Sequence, residues 1–182
     1  MASLALAVAT VVIFRHVLGA RIDFIDADDS VDTLCVHTEH GTMGLGIVEH
    51  LRRLGVAPGS VILAHLDRNP DPVEHGETGA SGAWLQLDGP GRAKYWPDST
   101  VLQLISDLAD RGLSKQLLLG GDTGRSSMMR AYGGGPGLDY VFARFKPRLE
   151  RELGRELSQL IFVENPARAF AFDPRFNSGC PR

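Results

Sequence analysis

Cysteine is scarce, with Cys35 and Cys180 the two in 182 residues. Cys35 sits in an apolar run, Cys180 in a polar tail, and no CxxC or other metal-binding spacing joins them. That usage speaks against a disulfide framework and makes a reducing, cytoplasmic setting the expectation. An excess of positive charge is lacking too. The formal net charge is −3, which argues against a nucleic-acid binder, whose footprint is a basic patch or a high pI. The longest apolar run, Met1 to Phe14, ends at Arg15 and is too short for a membrane span. It lacks the basic opening of a secretory signal, although Val17-Leu18-Gly19-Ala20 has the small residues of a cleavage region. Export is therefore the minor reading and a buried strand or helix the major one.

What is present is ordinary for a globular domain, with 43% hydrophobic and 23% charged residues. From Leu34 onward, short apolar runs alternate with helix-like stretches. Leu34-Cys35-Val36-His37 reads as a strand. Thr42 is placed to cap a helix running to Leu54, with Met43, Ile47 and Leu51 at four-residue spacing. Val61 to His65, Ala83 to Asp88 and Leu117 to Asp122 read as three further strands. A weak helical stretch ending near Gly82 and a stronger helix from Asp98 or Ser99 to Arg111 separate them. Leu138 to Gly154 reads as a helix bent at Pro147, followed by helices over Arg155 to Glu164 and from Asn165-Pro166. Apolar strands alternating with amphipathic helices predict an α/β fold with a parallel, helix-covered sheet. An open doubly wound sheet and part of a closed barrel both fit this pattern. The boundaries expected are an atypical apolar segment over residues 1–33, a domain over 34–173 and a tail over 174–182.

The informative pattern is positional. His37, His65, Asp88 and Asp122 each end a predicted strand. Strand C-terminal ends are where parallel α/β folds place ligands and catalytic groups. Two imidazoles and a carboxylate suit zinc or a similar divalent ion. Such an ion lowers the pKa of a bound water toward about 7 and polarises an ester oxygen. Asp122 is the candidate proton acceptor, and His37, His65 and Asp122 are the candidate metal ligands. Arg92, Lys94 and Arg125, with Asp88 on the same rim, are weaker candidates for contacting an anionic substrate. The Gly133 to Gly137 run lacks the lysine and hydroxyl of a phosphate-binding P-loop and reads as a mobile loop at the site mouth. His40, His50 and His75 read as surface residues.

Several segments resemble the phosphotriesterase family of amidohydrolase-type, metal-dependent hydrolases. Val36-His37-Thr38-Glu39-His40-Gly41-Thr42 is similar to its strand-5 segment, and Ile62-Leu63-Ala64-His65-Leu66-Asp67 to strand 6. Leu87-Asp88-Gly89 with Tyr95-Trp96-Pro97-Asp98 resembles strand 7 and its loop. Leu118-Leu119-Gly120-Gly121-Asp122 resembles strand 8. Phe145-Lys146-Pro147 and Asn165-Pro166 are also family-like. The resemblance covers about Leu34 to Phe172 and is expected to the C-terminal half of the family only. It implies a partial TIM-type (β/α)8 barrel, about the last four β-α units. It further implies that His37 and His65 bind one metal of a binuclear centre, most plausibly zinc. Asp122 would bind the other and shuttle a proton. The implied substrates are small-molecule phosphotriesters, lactones or related esters.

The family's strand-1 His-x-His pair and its strand-4 bridging residue have no counterpart. Met1 to Thr33 holds one histidine, His16, and no lysine. Two hypotheses follow. One is an ester hydrolase using metal-activated hydroxide. The other is a non-catalytic barrel remnant or ligand-binding module with an incomplete centre. A partial barrel also leaves open edges near Leu34 and Leu117, for which a second copy or a complementing N-terminal half is the expected partner.

Overall fold

The structure, a computed structural model, describes residues 33–170. The apolar N-terminal segment through residue 32, with its export reading and His16, lies outside the described residues. So do the tail, Phe172 and Cys180.

Four parallel strands form one sheet in sequential order: β1 Leu34–His37, β2 Val61–Ala64, β3 Trp84–Leu87 and β4 Leu117–Leu119. The crossovers carry α1 Gly44–Arg53, α2 Pro72–Ala80 and α3 Asp98–Asp110. This is the partial (β/α)8 barrel that the family resemblance implies; the alternation alone also fitted an open doubly wound sheet. The register pairs Cys35 with Ile62 and His37 with Ala64. It pairs Leu63 with Leu85 and Leu87 with Leu119.

Because side chains alternate across a strand, the sheet has two distinct faces. Val36, Val61, Leu63, Leu85, Leu87 and Leu117 pack against Ile47, Val48 and Leu51 of α1 and Val101, Leu102, Ile105 and Leu108 of α3. Phe145 and Leu149 are fully buried in the same core. Ile62, Trp84 and Leu118 belong to the opposite face, where Ala169 packs on them. Cys35 and His37 also point to that face and are exposed.

The last helical elements reach the N-terminal end of the sheet. A π-helical turn over Val141–Phe145 runs into α4 Lys146–Leu153, and α5 Arg155–Gln159 passes through another, Leu160–Glu164, into α6 Asn165–Ala169. Pro147 stands where the π-helical turn runs into α4, inside one continuous helical stretch. The fully buried Asn165 donates from Nδ2 to the carbonyls of Ser114 at 2.8 Å and Leu117 at 2.7 Å.

Two local expectations change. Thr42 does not cap α1. Met43 precedes it in a left-handed conformation without a side-chain cap, and its N–H donates to Glu74 Oε1 at 2.9 Å. His75 is not a surface residue but is 1% exposed. Its Nε2 lies 2.9 Å from the Leu66 carbonyl and 2.5 Å from that of Asn69, which ties α2 to the loop after β2.

Candidate active site at the strand ends

His37 is the last residue of β1 and His65 the first after β2. His65 takes φ 66, a left-handed conformation that costs a non-glycine residue about 1 kcal/mol or more. The turn aims its ring at the neighbouring strand. His65 Nε2 lies 2.8 Å from His37 Nδ1, and the rings meet edge to face with centroids 4.5 Å apart. One nitrogen donates and the other accepts. Partial desolvation first, and the neighbouring His65 second, push the His37 pKa below the ordinary imidazole value.

Behind this pair stand two buried carboxylates. Asp88 is 4% exposed, and its Oδ2 accepts the His65 backbone N–H at 3.1 Å. The same oxygen is 3.1 Å from His65 Nδ1 but out of line for a hydrogen bond. Gln86 Nε2 donates to Asp88 Oδ1 at 2.8 Å. Asp67, 3% exposed, accepts the Asp88 backbone N–H at 2.7 Å. Burial pushes the Asp67 carboxyl above its ordinary value, although that hydrogen bond opposes the shift. The packing leaves no room for side chains opposite. A Cβ on Gly89 would collide with the Asp67 carboxylate, and one on Gly120 with that of Asp88.

A second wall is cationic. Asp122, also left-handed at φ 42, pairs through its carboxylate with Arg92 Nη1 in close contact and with Arg68 Nη2 at 3.5 Å. Arg92 Nη1 also donates to the Asp122 carbonyl at 3.3 Å. Arg68 Nη1 reaches Glu39 Oε1 at 3.0 Å and the Glu39 carbonyl at 2.6 Å. Tyr95 lies among cations. Its ring centroid is 4.8 Å from Arg68 Cζ, 5.2 Å from Arg92 Cζ and 4.5 Å from Lys94 Nζ. A hydrogen bond from Lys94 first, with the arginines assisting, lowers the Tyr95 pKa.

Both walls face one cavity of about 280 Å³. His37, His65, Asp122, Arg92 and Arg125 line it. Asp88 lies beneath, behind His65, and Lys94 sits outside against Tyr95. Glu39, Arg68, Tyr95 and Met128 also line the cavity, and sequence reasoning did not select them. A usable signal for Arg68 was its place three residues after a strand-end histidine.

The donor chemistry of the imidazole pair suits a divalent cation, since a shared proton holds two ring nitrogens face to face where a metal would hold both lone pairs. Asp122 does not join them, because its carboxylate is turned to the arginines. Among the described residues no three His, Cys, Asp or Glu groups converge on a cation position. No helix among them is long and apolar enough to cross a membrane.

A parallel β-α barrel segment with imidazoles and carboxylates on its C-terminal rim defines a class of metal-dependent enzyme folds. The model of the phosphotriesterase family matches residues 27–170, and the chain belongs to that family. This span takes in most of the chain and corrects the expectation that the likeness is to the C-terminal half of the family only. The match begins ahead of Leu34, in Ala27 to Thr33, a polar stretch without the apolar periodicity that marked the later units. A phospho-furanose lactonase of Mycoplasmopsis synoviae is 38% identical over 163 residues, covering 84% of this chain and 46% of that protein. A lactonase structure from Listeria monocytogenes superposes with a TM-score of 0.74 at 36% identity, over 76% of this chain and 44% of that one. The phosphotriesterase homology protein of Escherichia coli, solved with phosphate in its active site, gives 0.72 at 30% identity, over 76% and 48%. The chain thus spans a little under half the length of these relatives.

Proposed function

We propose that this chain carries the site of a metal-dependent ester hydrolase whose substrate bears an anionic group, with a phosphorylated lactone the leading class. The single observation that carries the reading is one cavity lined both by an imidazole pair and by guanidinium groups. The two imidazoles stand 2.8 Å apart, and the three guanidinium groups are those of Arg68, Arg92 and Arg125. The names of the M. synoviae and L. monocytogenes relatives support lactone chemistry, and the phosphate held by the E. coli protein supports an anionic group.

His37 and His65 are the residues that would hold the metal, zinc or a similar ion, and Asp122 is the further ligand and proton acceptor. When bound, such an ion supplies Lewis-acid polarisation and a more acidic water. The chain's own residues do the rest. Asp88 holds the His65 backbone through its N–H and so fixes where the side chain leaves the strand end. Arg92 and Arg68 offer the planar donors that match phosphate or carboxylate oxygens, while Arg125 and Lys94 add charge at the mouth. The Asp122 carboxylate takes up the proton lost by the attacking water. Among the described residues β1 and β4 have one strand neighbour each, and pairing at those outer edges with a second copy belongs to the same reading.

The test is metal content of the purified chain together with hydrolysis of phosphorylated lactones, plain lactones and aryl phosphotriesters. Bound metal with turnover of the phosphorylated lactones is expected. Absence of both removes the proposal for this polypeptide. A non-catalytic anion-binding module is the second reading, favoured by the engagement of Asp122 with Arg92 and Arg68. Phosphate binding without metal or turnover would establish it.

A further inference from the structure

We propose that Arg92 and Arg68 hold Asp122 in reserve, so that a divalent cation and a phosphate-type anion bind this cavity cooperatively, each releasing the partner the other needs. The inference rests on the reading above that His37 and His65 receive the cation. It goes further in coupling the two walls.

Asp122 has one carboxylate and two competing uses. In the structure both guanidinium groups claim it, and Arg92 additionally holds the backbone carbonyl of the same residue. The arginine side chains are 13% and 11% exposed. Such sheltered guanidinium groups do not give up a carboxylate unless another acceptor replaces it. A phosphate oxygen is such an acceptor, because it offers the same planar donors a doubly charged partner. Arg68 has a second carboxylate in Glu39 at 3.0 Å, so it stays anchored in the rim when Asp122 leaves. Among the described residues Arg92 pairs with no second carboxylate, which makes it the main latch.

Charge points the same way. The ionic side chains lining the cavity are three guanidinium groups, Arg68, Arg92 and Arg125, against two carboxylates, Glu39 and Asp122. A dication alone enters a wall with an excess of one positive charge and finds its carboxylate ligand occupied. An anion alone must displace Asp122 and leave that carboxylate unpaired. Together they satisfy every group, the anion on the arginines and the cation beside the freed carboxylate. Linkage makes the effect reciprocal, since each ligand changes the affinity of the other by one common factor.

The experiment uses chelator-treated full chain, with Mn2+ binding followed by electron paramagnetic resonance in the presence and absence of inorganic phosphate. The expected result is Mn2+ binding tightened about tenfold by phosphate, within the usual range of coupling between two sites. Phosphate binding should tighten equally with Mn2+. In Arg92→Gln, Mn2+ should bind more tightly than in the wild type without phosphate, and the added effect of phosphate should disappear. That loss separates the latch from Mn2+–phosphate pairing in bulk, which the substitution leaves intact. Circular dichroism checks folding, and Arg68→Gln serves as the second variant. Mn2+ binding that requires His37 yet is indifferent to phosphate would overturn the latch alone. Mn2+ binding that is absent, or unchanged in His37→Ala, would overturn the site reading and the latch with it.

Discussion

The two walls of the cavity are held by different physics. The imidazole wall stands on strand ends, and its support is a buried relay from Asp67 to the Asp88 backbone and from Asp88 to the His65 backbone. Those acceptors are 3% and 4% exposed. The arginine wall stands on loops after β2, β3 and β4, and its contacts are ion pairs around Asp122, a residue 30% exposed. Removing a partner from a buried relay strands a polar group away from water, at a cost of about 1–3 kcal/mol. At the Asp122 pairs an incoming anion can take the place of the carboxylate on the sheltered arginines, so exchange there strands no charge. The first wall therefore sets geometry and the second is free to rearrange around ligands.

The sharpest way to break this contrast is Asp122→Asn. If Asp122 takes up the proton, ester turnover should fall by about 10²–10⁴-fold, while thermal unfolding stays close to the wild-type curve. Steady-state kinetics and calorimetry on one preparation read both. A large loss of stability would show that Asp122 braces the fold and that the walls do not differ. Next in size is Asp88→Ala, which leaves the His65 N–H and the Gln86 amide without their acceptor. Metal affinity should drop by about 10–100-fold, as for other groups that orient a ligand from behind. Urea unfolding should show a loss of about 1–3 kcal/mol. A change in metal affinity without a change in stability would place Asp88 on the solvent side of the contrast.

Much of the first wall was legible in the sequence. Leu34 to His37 and Val61 to His65 are short apolar runs that end on histidine, so strand ends, and hence the rim, could be located from pattern alone. The same alternation gave a parallel, helix-covered sheet, and the family resemblance was needed to choose a partial barrel over an open doubly wound sheet. The second wall was less legible because loop residues carry no periodicity. Arg92 and Arg125 were selected by charge, but Arg68 was not, since its place three residues after a strand-end histidine was the one local signal and its partners Glu39 and Asp122 lie far away in the sequence. His75 was misjudged for a related reason. Its helix holds Gly76, Thr78, Gly79 and Ala80, small residues that hide which face is buried. In the sequence Gly89 reads as a loop residue and Gly120 as part of the fourth strand. Their use is steric, giving space to two carboxylates that only the assembled sheet brings near.

A smaller effect sharpens the comparison through acidity. Desolvation and the adjacent His65 lower the His37 pKa from its ordinary 6.5. The unfolded chain therefore takes up this proton more readily than the native one. The stabilising contribution of neutral His37 is complete above about pH 6.5 and is lost as pH falls through the lower native value. Asp67 works in the opposite sense. Its carboxyl is raised from 3.8, so its contribution is greatest below that value and fades as pH rises through the native one. Between neutrality and mild acid the His37 effect should dominate, because that is the window in which the imidazole takes up its proton. Urea midpoints measured at pH 7.5 and 5.5, values chosen to straddle the ordinary imidazole range of about 6.5, should be lower at the acid end. In His37→Asn the drop should be smaller, since no proton is taken up there. An equal drop in the variant would mean that the acid sensitivity arises elsewhere and that His37 is solvated like any rim residue.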